Sequence, residues 1–243
     1  MKRFIPLFLL SLAFITPAQA GVMAASTRVI YQAGERDKSL MLVNTNDYPV
    51  IVQSWVDSGA GDIDAANAPF IVTPPVFRLA PQSIQGLRIM YNQEPLPADR
   101  ESVFWLNLYE IPPVSKEMKE SRRLTLAMNT QLKIFYRPKG LKMTLEEAVS
   151  KLTFRLQQDN GHWFIECDNP TPLNVSFTSI SVSDGSAERQ VESQPDMMTP
   201  PFSKKSYAIT GLNSVTHKQA LRFRYLDDAG EQHSVNASVS GAE

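Results

Sequence analysis

Between Thr27 and Tyr136 one pattern recurs: a short run rich in β-branched and aromatic residues, then a proline or a turn pair. The runs are TRVIYQ (27–32), SLMLVN (39–44), VIVQSWV (50–56), FIVTPPVFRL (70–79), SIQGLRIMY (83–91), VFWLNLYEI (103–111) and LTLAMNTQLKIFY (124–136). The breaks carry turn chemistry at Asn46-Asp47, Gly59-Ala60-Gly61-Asp62, Pro81-Gln82-Ser83, Pro95 and Pro97. Strands at this spacing predict an immunoglobulin-like sandwich. Trp55 lies on the strand where such sandwiches often carry a core tryptophan. Its parity differs from that of Val50 and Val52, which leaves both faces open.

The last run has the cleanest period. Leu124, Leu126, Met128 and Leu132 alternate with polar or small residues, and Lys133 follows. Such alternation describes a half-buried strand. Taken alone, it places these side chains in the chain's own core.

Pro138-Lys139-Gly140 marks a boundary, and TLEEAVSKL (144–152) reads as a short helix or an extended linker. Strands resume with LTFRLQQ, HWFIECDN, LNVSFTSISVS, SYAIT, ALRFRYLDD and HSVNASVS. The expected fold class is therefore all-β, with sandwich domains over 21–138 and 139–243.

Residues 1–20 stand apart. Lys2 and Arg3 precede an apolar run from Phe4 to Ile15 and then Ala18-Gln19-Ala20, the form of a secretory signal cleaved after Ala20. The run is too short to span a bilayer, and no membrane insertion is expected elsewhere. The net charge of −1 gives no basic excess for nucleic acid. Cys167 is the one cysteine, so no internal disulfide forms, and its setting suits a buried, inert thiol.

Catalytic signatures are missing. His162, His217 and His233 have no zinc spacing, and no nucleophile elbow, P-loop or dinucleotide fingerprint occurs. Glu146-Glu147 reads as a solvated helix start. No cofactor or metal and no enzymatic activity are expected.

One stretch is more specific. LPADRESVFWLNLYEIPP (96–113) resembles the signature of the PapD-like periplasmic pilus chaperones, and TPPVFRL (73–79) and KIFYRP (133–138) match the family in order and spacing. The resemblance implies two immunoglobulin-like sandwiches set at an angle, as a boomerang. It implies a periplasmic chaperone that folds and caps pilus subunits and delivers them to an outer-membrane usher. Donor-strand pairing of chaperone and pilin is an established form of strand addition.

By resemblance, Leu124, Leu126 and Met128 form the donated strand that fills the open groove of a subunit. Arg28 and Lys133 anchor the subunit's C-terminal carboxylate. Glu101 and Arg137 form an interdomain network with an aspartate, for which Asp228 is the candidate and Asp227 its rival. VSKEMKESRR (114–123) resembles the short loop of the branch that builds multi-subunit pili. An open donor edge also implies self-association while no client is bound.

Two alternatives belong to other classes. One is a secreted structural or adhesive pilus subunit, which would lack the seventh strand seen here. The other is a carbohydrate-binding or hydrolytic sandwich protein. Glycan binding favours exposed tryptophans, and the three present all lie in apparent strands.

Overall fold

Strand β4 (Val50–Asp57) shows how the pattern becomes a layer. Val50, Val52 and Val56 are buried while Ile51 is exposed, because successive side chains of a strand point to opposite faces. A computed structural model describes residues 21–64, 68–113, 126–183, 187–212 and 218–240. In it, the first half of the chain forms two sheets.

One sheet has the order β1 (Val22–Ala24), β3 (Lys38–Asn44), β7 (Ile84–Tyr91), β5 (Phe70–Thr73). The other runs β2 (Arg28–Gln32), β9 (Met128–Arg137), β8 (Ser102–Ile111), β4, β6 (Val76–Leu79). Leu42, Val52, Leu87, Ile89, Leu106 and Ile134 fill the space between them.

Three details correct or complete the sequence reading. FIVTPPVFRL is not one strand. Its halves β5 and β6 join opposite sheets across Pro74-Pro75, neither of which has an N–H to continue a ladder. The run TRVIYQ is β2, and the residues before it form a strand not read from the sequence, β1, so the leading edge is split between the two sheets. Trp55 is not a core residue: it shares the outer face of β4 with Ile51 and tilts against Tyr109 at a centroid distance of 6.4 Å.

The second half opens with α1 (Leu145–Val149). The Glu147 N–H donates to Thr144 Oγ1 at 3.2 Å, and the Thr144 N–H donates to Glu147 Oε2 at 2.9 Å. This capping box satisfies two donors that a helix start leaves open. The helix buries Leu145, Ala148 and Val149 in the core that also holds Phe154, Ile165 and Phe223.

The strands follow the order β13 (Glu188–Gln190), β12 (Val175–Ser183), β16 (Lys218–Leu226), β17 (Gln232–Ser240), β10 (Thr153–Asp159), β11 (His162–Asn169), β15 (Ser203–Ile209). A short β14 (Met198–Thr199) also pairs with β12. β10 and β17 meet at the register pair Arg155 and Ser240, which links the two layers. Cys167 is buried in this core, and burial pushes its thiol up to about 12, which makes it a poor nucleophile.

Both sandwiches use the same polar clasp. In the first, the buried Asn44 donates through Nδ2 to the carbonyls of Tyr48, Leu79 and Ala80, and its Oδ1 accepts the Asn46 N–H. In the second, Asn169 donates to the carbonyls of Leu173, Thr199 and Pro200, and accepts the Thr171 N–H. The adjoining turns match as well: Gln82 and Phe202 hold φ of 55° and 50°, and Ser83 and Ser203 donate to the Ala80 and Pro200 carbonyls. Each asparagine ties a strand end to the opposite side of its sandwich.

The two sandwiches meet through charge. Arg137, at the end of β9, donates Nε to Glu101 Oε1 at 2.7 Å. Its two other nitrogens grip Asp228 at 2.5 and 2.6 Å. The second oxygen of Glu101 accepts the Asn174 N–H at 2.9 Å and Asn174 Nδ2 at 2.8 Å. Burial opposes the Arg137 charge, and Asp228 and Glu101 more than restore it, so its pKa is raised. Asp227, the rival candidate, instead pairs with His233 Nε2 at 2.7 Å. In the same hairpin turn, Gly230 has φ of +85°, and a Cβ there would lie 2.5 Å from Thr27 Oγ1. Glycine is thus required by both the turn and the approach of the domains.

Replacing Asn44 or Asn169 by Ala leaves buried carbonyls without donors, and each change is expected to cost about 3 kcal/mol in its own domain. Denaturant unfolding of the two variants, followed by amide exchange in each half, checks this. At the junction, Arg137→Ala strands Glu101 and is expected to cost about 3 kcal/mol, while Asp228→Ala, whose carboxylate is 44% exposed, costs about 1 kcal/mol or less. Equal unfolding midpoints for those two variants would show that the buried arm does not dominate.

Candidate functional site

The pairing of β9 is incomplete. On one side, Met128 to Tyr136 pair in antiparallel register with Glu110 to Ser102 of β8. On the other, parallel β2 covers only Lys133 to Arg137, with Arg28 opposite Lys133. The chain preceding β2 is committed elsewhere, since β1 pairs with β3 in the facing sheet. From Met128 to Leu132 the second edge of β9 therefore has no partner strand among the described residues. An edge of this kind presents unpaired N–H and C=O groups as a template for another chain.

The side chains follow the strand period. Leu132 and Ile134 are buried in the core, while Met128 is 46% exposed and Leu126 is 72% exposed. All four share parity with Thr130, so one row, apolar except at Thr130, runs from the core into solvent. Of the residues expected on the donated strand, Met128 is the first of β9, Leu126 lies two residues before it, and Leu124 falls outside the described residues. On the opposite face, the buried Asn107 Oδ1 accepts Asn129 Nδ2 at 3.1 Å and Gln131 Nε2 at 2.9 Å. These bonds add to the β8 ladder and hold the open segment against its neighbour.

Arg28 and Lys133 stand opposite each other where the free edge ends. Arg28 is buried: Nη1 donates to the Leu226 carbonyl at 3.1 Å, and the guanidinium lies 5.6 Å from the centre of the Phe135 ring. Burial lowers its pKa, opposed by the nearby Asp228, Asp227 and Glu101. Its Nε is buried without a hydrogen bond among the described residues. Lys133 is partly exposed, and its Nζ lies 2.5 Å from Asp196 Oδ1 in the second domain.

This geometry suits three tasks at once. The edge can pair an extended peptide, the apolar row can seat alternate side chains, and the two cations can receive a carboxylate. Asp196 and Asn174 were not expected from sequence. Both lie in loop segments far along the chain from their partners, and neither carries a local motif. Of the three histidines, His162 and His233 are exposed, and His217 falls outside the described residues.

Comparison with known proteins bears on the whole molecule. Residues 21–142 match the family model for the PapD N-terminal domain of pili and flagellar-assembly chaperones. Residues 147–237 match that for the C-terminal domain of the pili assembly chaperone PapD. The chaperone protein FimB/FhaD of Bordetella pertussis is 34% identical over 236 residues, covering 94% of this chain and 93% of that one. The crystal structure of the YadV chaperone, a protein of Escherichia coli, superposes with a TM-score of 0.77 at 33% identity, covering 90% of this chain and all of that one. The Salmonella enterica SafB chaperone, solved in complex with the SafA pilin, gives a TM-score of 0.74 at 28% identity, covering 91% of this chain and 98% of that one. Two family domains in order, and relatives matched over nearly their full length, place this chain in the PapD-like family of pilus assembly chaperones, non-enzymatic proteins that handle pilus subunits.

Proposed function

We propose that this chaperone holds a pilus subunit by lending it the open edge of β9. Leu126 and Met128, with Leu124 ahead of them, enter the groove of a subunit that lacks a strand. Arg28 and Lys133 take its C-terminal carboxylate. The observation that carries this reading is a coincidence of position: the free edge of β9 ends at the register row that holds both cations.

The energetics are favourable. Moving each exposed apolar side chain from water contributes roughly 1.5–3 kcal/mol, and backbone pairing removes an exposed edge. The carboxylate fixes register, which matters because a slip of one residue would turn every side chain away from its pocket. Arg28 offers a planar fork for a carboxylate and Lys133 a point charge. The Glu101–Arg137–Asp228 network sets the angle at which the second domain, over 139–243, faces this edge of the first, over 21–138.

The remaining steps rest on family membership. The chain is exported to the periplasm by a signal removed after Ala20, and it passes its client to an outer-membrane usher. Its short 114–123 segment fits the branch that builds multi-subunit pili. Client-free molecules associate through the same open edge.

Arg28→Ala and Lys133→Ala test the anchor. Each is expected to abolish recovery of a co-expressed pilin with the affinity-tagged chaperone, while far-UV circular dichroism stays that of the parent. Parent-like recovery of the pilin by either variant would refute the assignment.

A further inference from the structure

In this structure Lys133 already has a carboxylate, supplied by the second domain. Asp196 lies in the segment between β13 and β14, and its backbone is held from both sides. Its carbonyl accepts Lys205 Nζ at 2.5 Å, and Lys205 also bonds the Met198 carbonyl at 3.1 Å. The neighbouring Met197 carbonyl accepts the Phe177 N–H at 2.6 Å. From this fixed mount, the side chain reaches Lys133 at 2.5 Å.

We propose that Asp196 is a resident counter-ion of the subunit anchor, a stand-in that the C-terminal carboxylate of a bound chain must displace from Lys133. The inference rests on the anchor reading given above. Lys133 is thus held by a residue of the chaperone itself, which an incoming carboxylate must replace.

Three features make the stand-in displaceable. Lys133 and Asp196 remain 20% and 35% exposed, and a pair in that setting holds weakly. The Asp196 carboxylate pairs with Lys133, while Arg28 Nε makes no hydrogen bond among the described residues. A carboxylate seated at the row shared by Arg28 and Lys133 can use both. The displaced Asp196 also keeps a cation at hand, since Lys205 is already bonded to its main chain.

The consequence is selectivity. A free carboxylate, or a strand with no carboxylate at the right distance, must compete with Asp196 or gains nothing from the anchor. A chain that brings both is tethered along β9 and replaces Asp196 intramolecularly. Discrimination by an opposing interaction is a general route to specificity.

The test uses the mature chaperone and a synthetic peptide of alternating valine and threonine, made as a free acid and as a C-terminal carboxamide. Binding is read by NMR titration of the amides from Met128 to Lys133. The free acid is expected to bind Asp196→Asn about fivefold more tightly than the parent, and the carboxamide to bind both equally. No gain, a loss as expected of a mere interdomain strut, an equal gain for both peptides, or no binding of the free acid to either protein overturns the proposal. Lys133→Ala separates the two levels. If that variant keeps the preference for the free acid, the anchor reading itself falls. If it loses the preference while Asp196→Asn changes nothing, only the role of Asp196 falls.

Discussion

The unfinished pairing of β9 is the constraint on which the rest of the molecule depends. A strand with one edge committed and the other, among the described residues, open over Met128 to Leu132 is normally an aggregation hazard. The fold creates it by sending the first residues to the opposite sheet as β1 and returning them as β2 only at Arg28. The split leading strand thus leaves a gap of defined length and sets the cation that closes it. The apolar row beside the gap continues the chain's own core, so whatever pairs there extends that core.

The second domain gives this edge a boundary. Arg137, on the same strand, is fixed by Glu101 from its own domain and by Asp228 from the other. Leu226 and Asp196 of the second domain meet Arg28 and Lys133 directly. The cations that end the edge are therefore also part of the junction between domains. The repeated asparagine clasp ties each sandwich together within itself, whereas the contacts named here between the sandwiches are polar.

Much of this was legible in the sequence, and the reasons are local. Strand period, proline breaks and the capping box at Thr144 act over a few residues, and the structure follows them closely. The alternation from Leu126 to Ile134 gave the parity of the row that holds Leu126, Met128 and Leu132. It could not say that the outer part of the row leaves the core, since that depends on where β2 begins. Trp55 was ambiguous by parity and proved to face outward. The FIVTPPVFRL segment looked continuous because its two halves share composition, while the sheet exchange at Pro74-Pro75 is a tertiary event. Asp196, Asn174 and the matching clasps built by Asn44 and Asn169, one in each sandwich, were invisible for the same reason: each depends on segments brought together by folding. Arg28 and Lys133 were reached by resemblance alone, as a charged residue at a strand end is otherwise unremarkable.

The most direct measurement is hydrogen exchange at the backbone amides of Leu126 to Leu132, in the free chaperone and in its complex with a pilin subunit. Donation of the edge requires strong protection of alternate amides along this segment on binding, since their open side becomes a β ladder. Unchanged exchange there, with protection appearing on another face of the molecule, would contradict it.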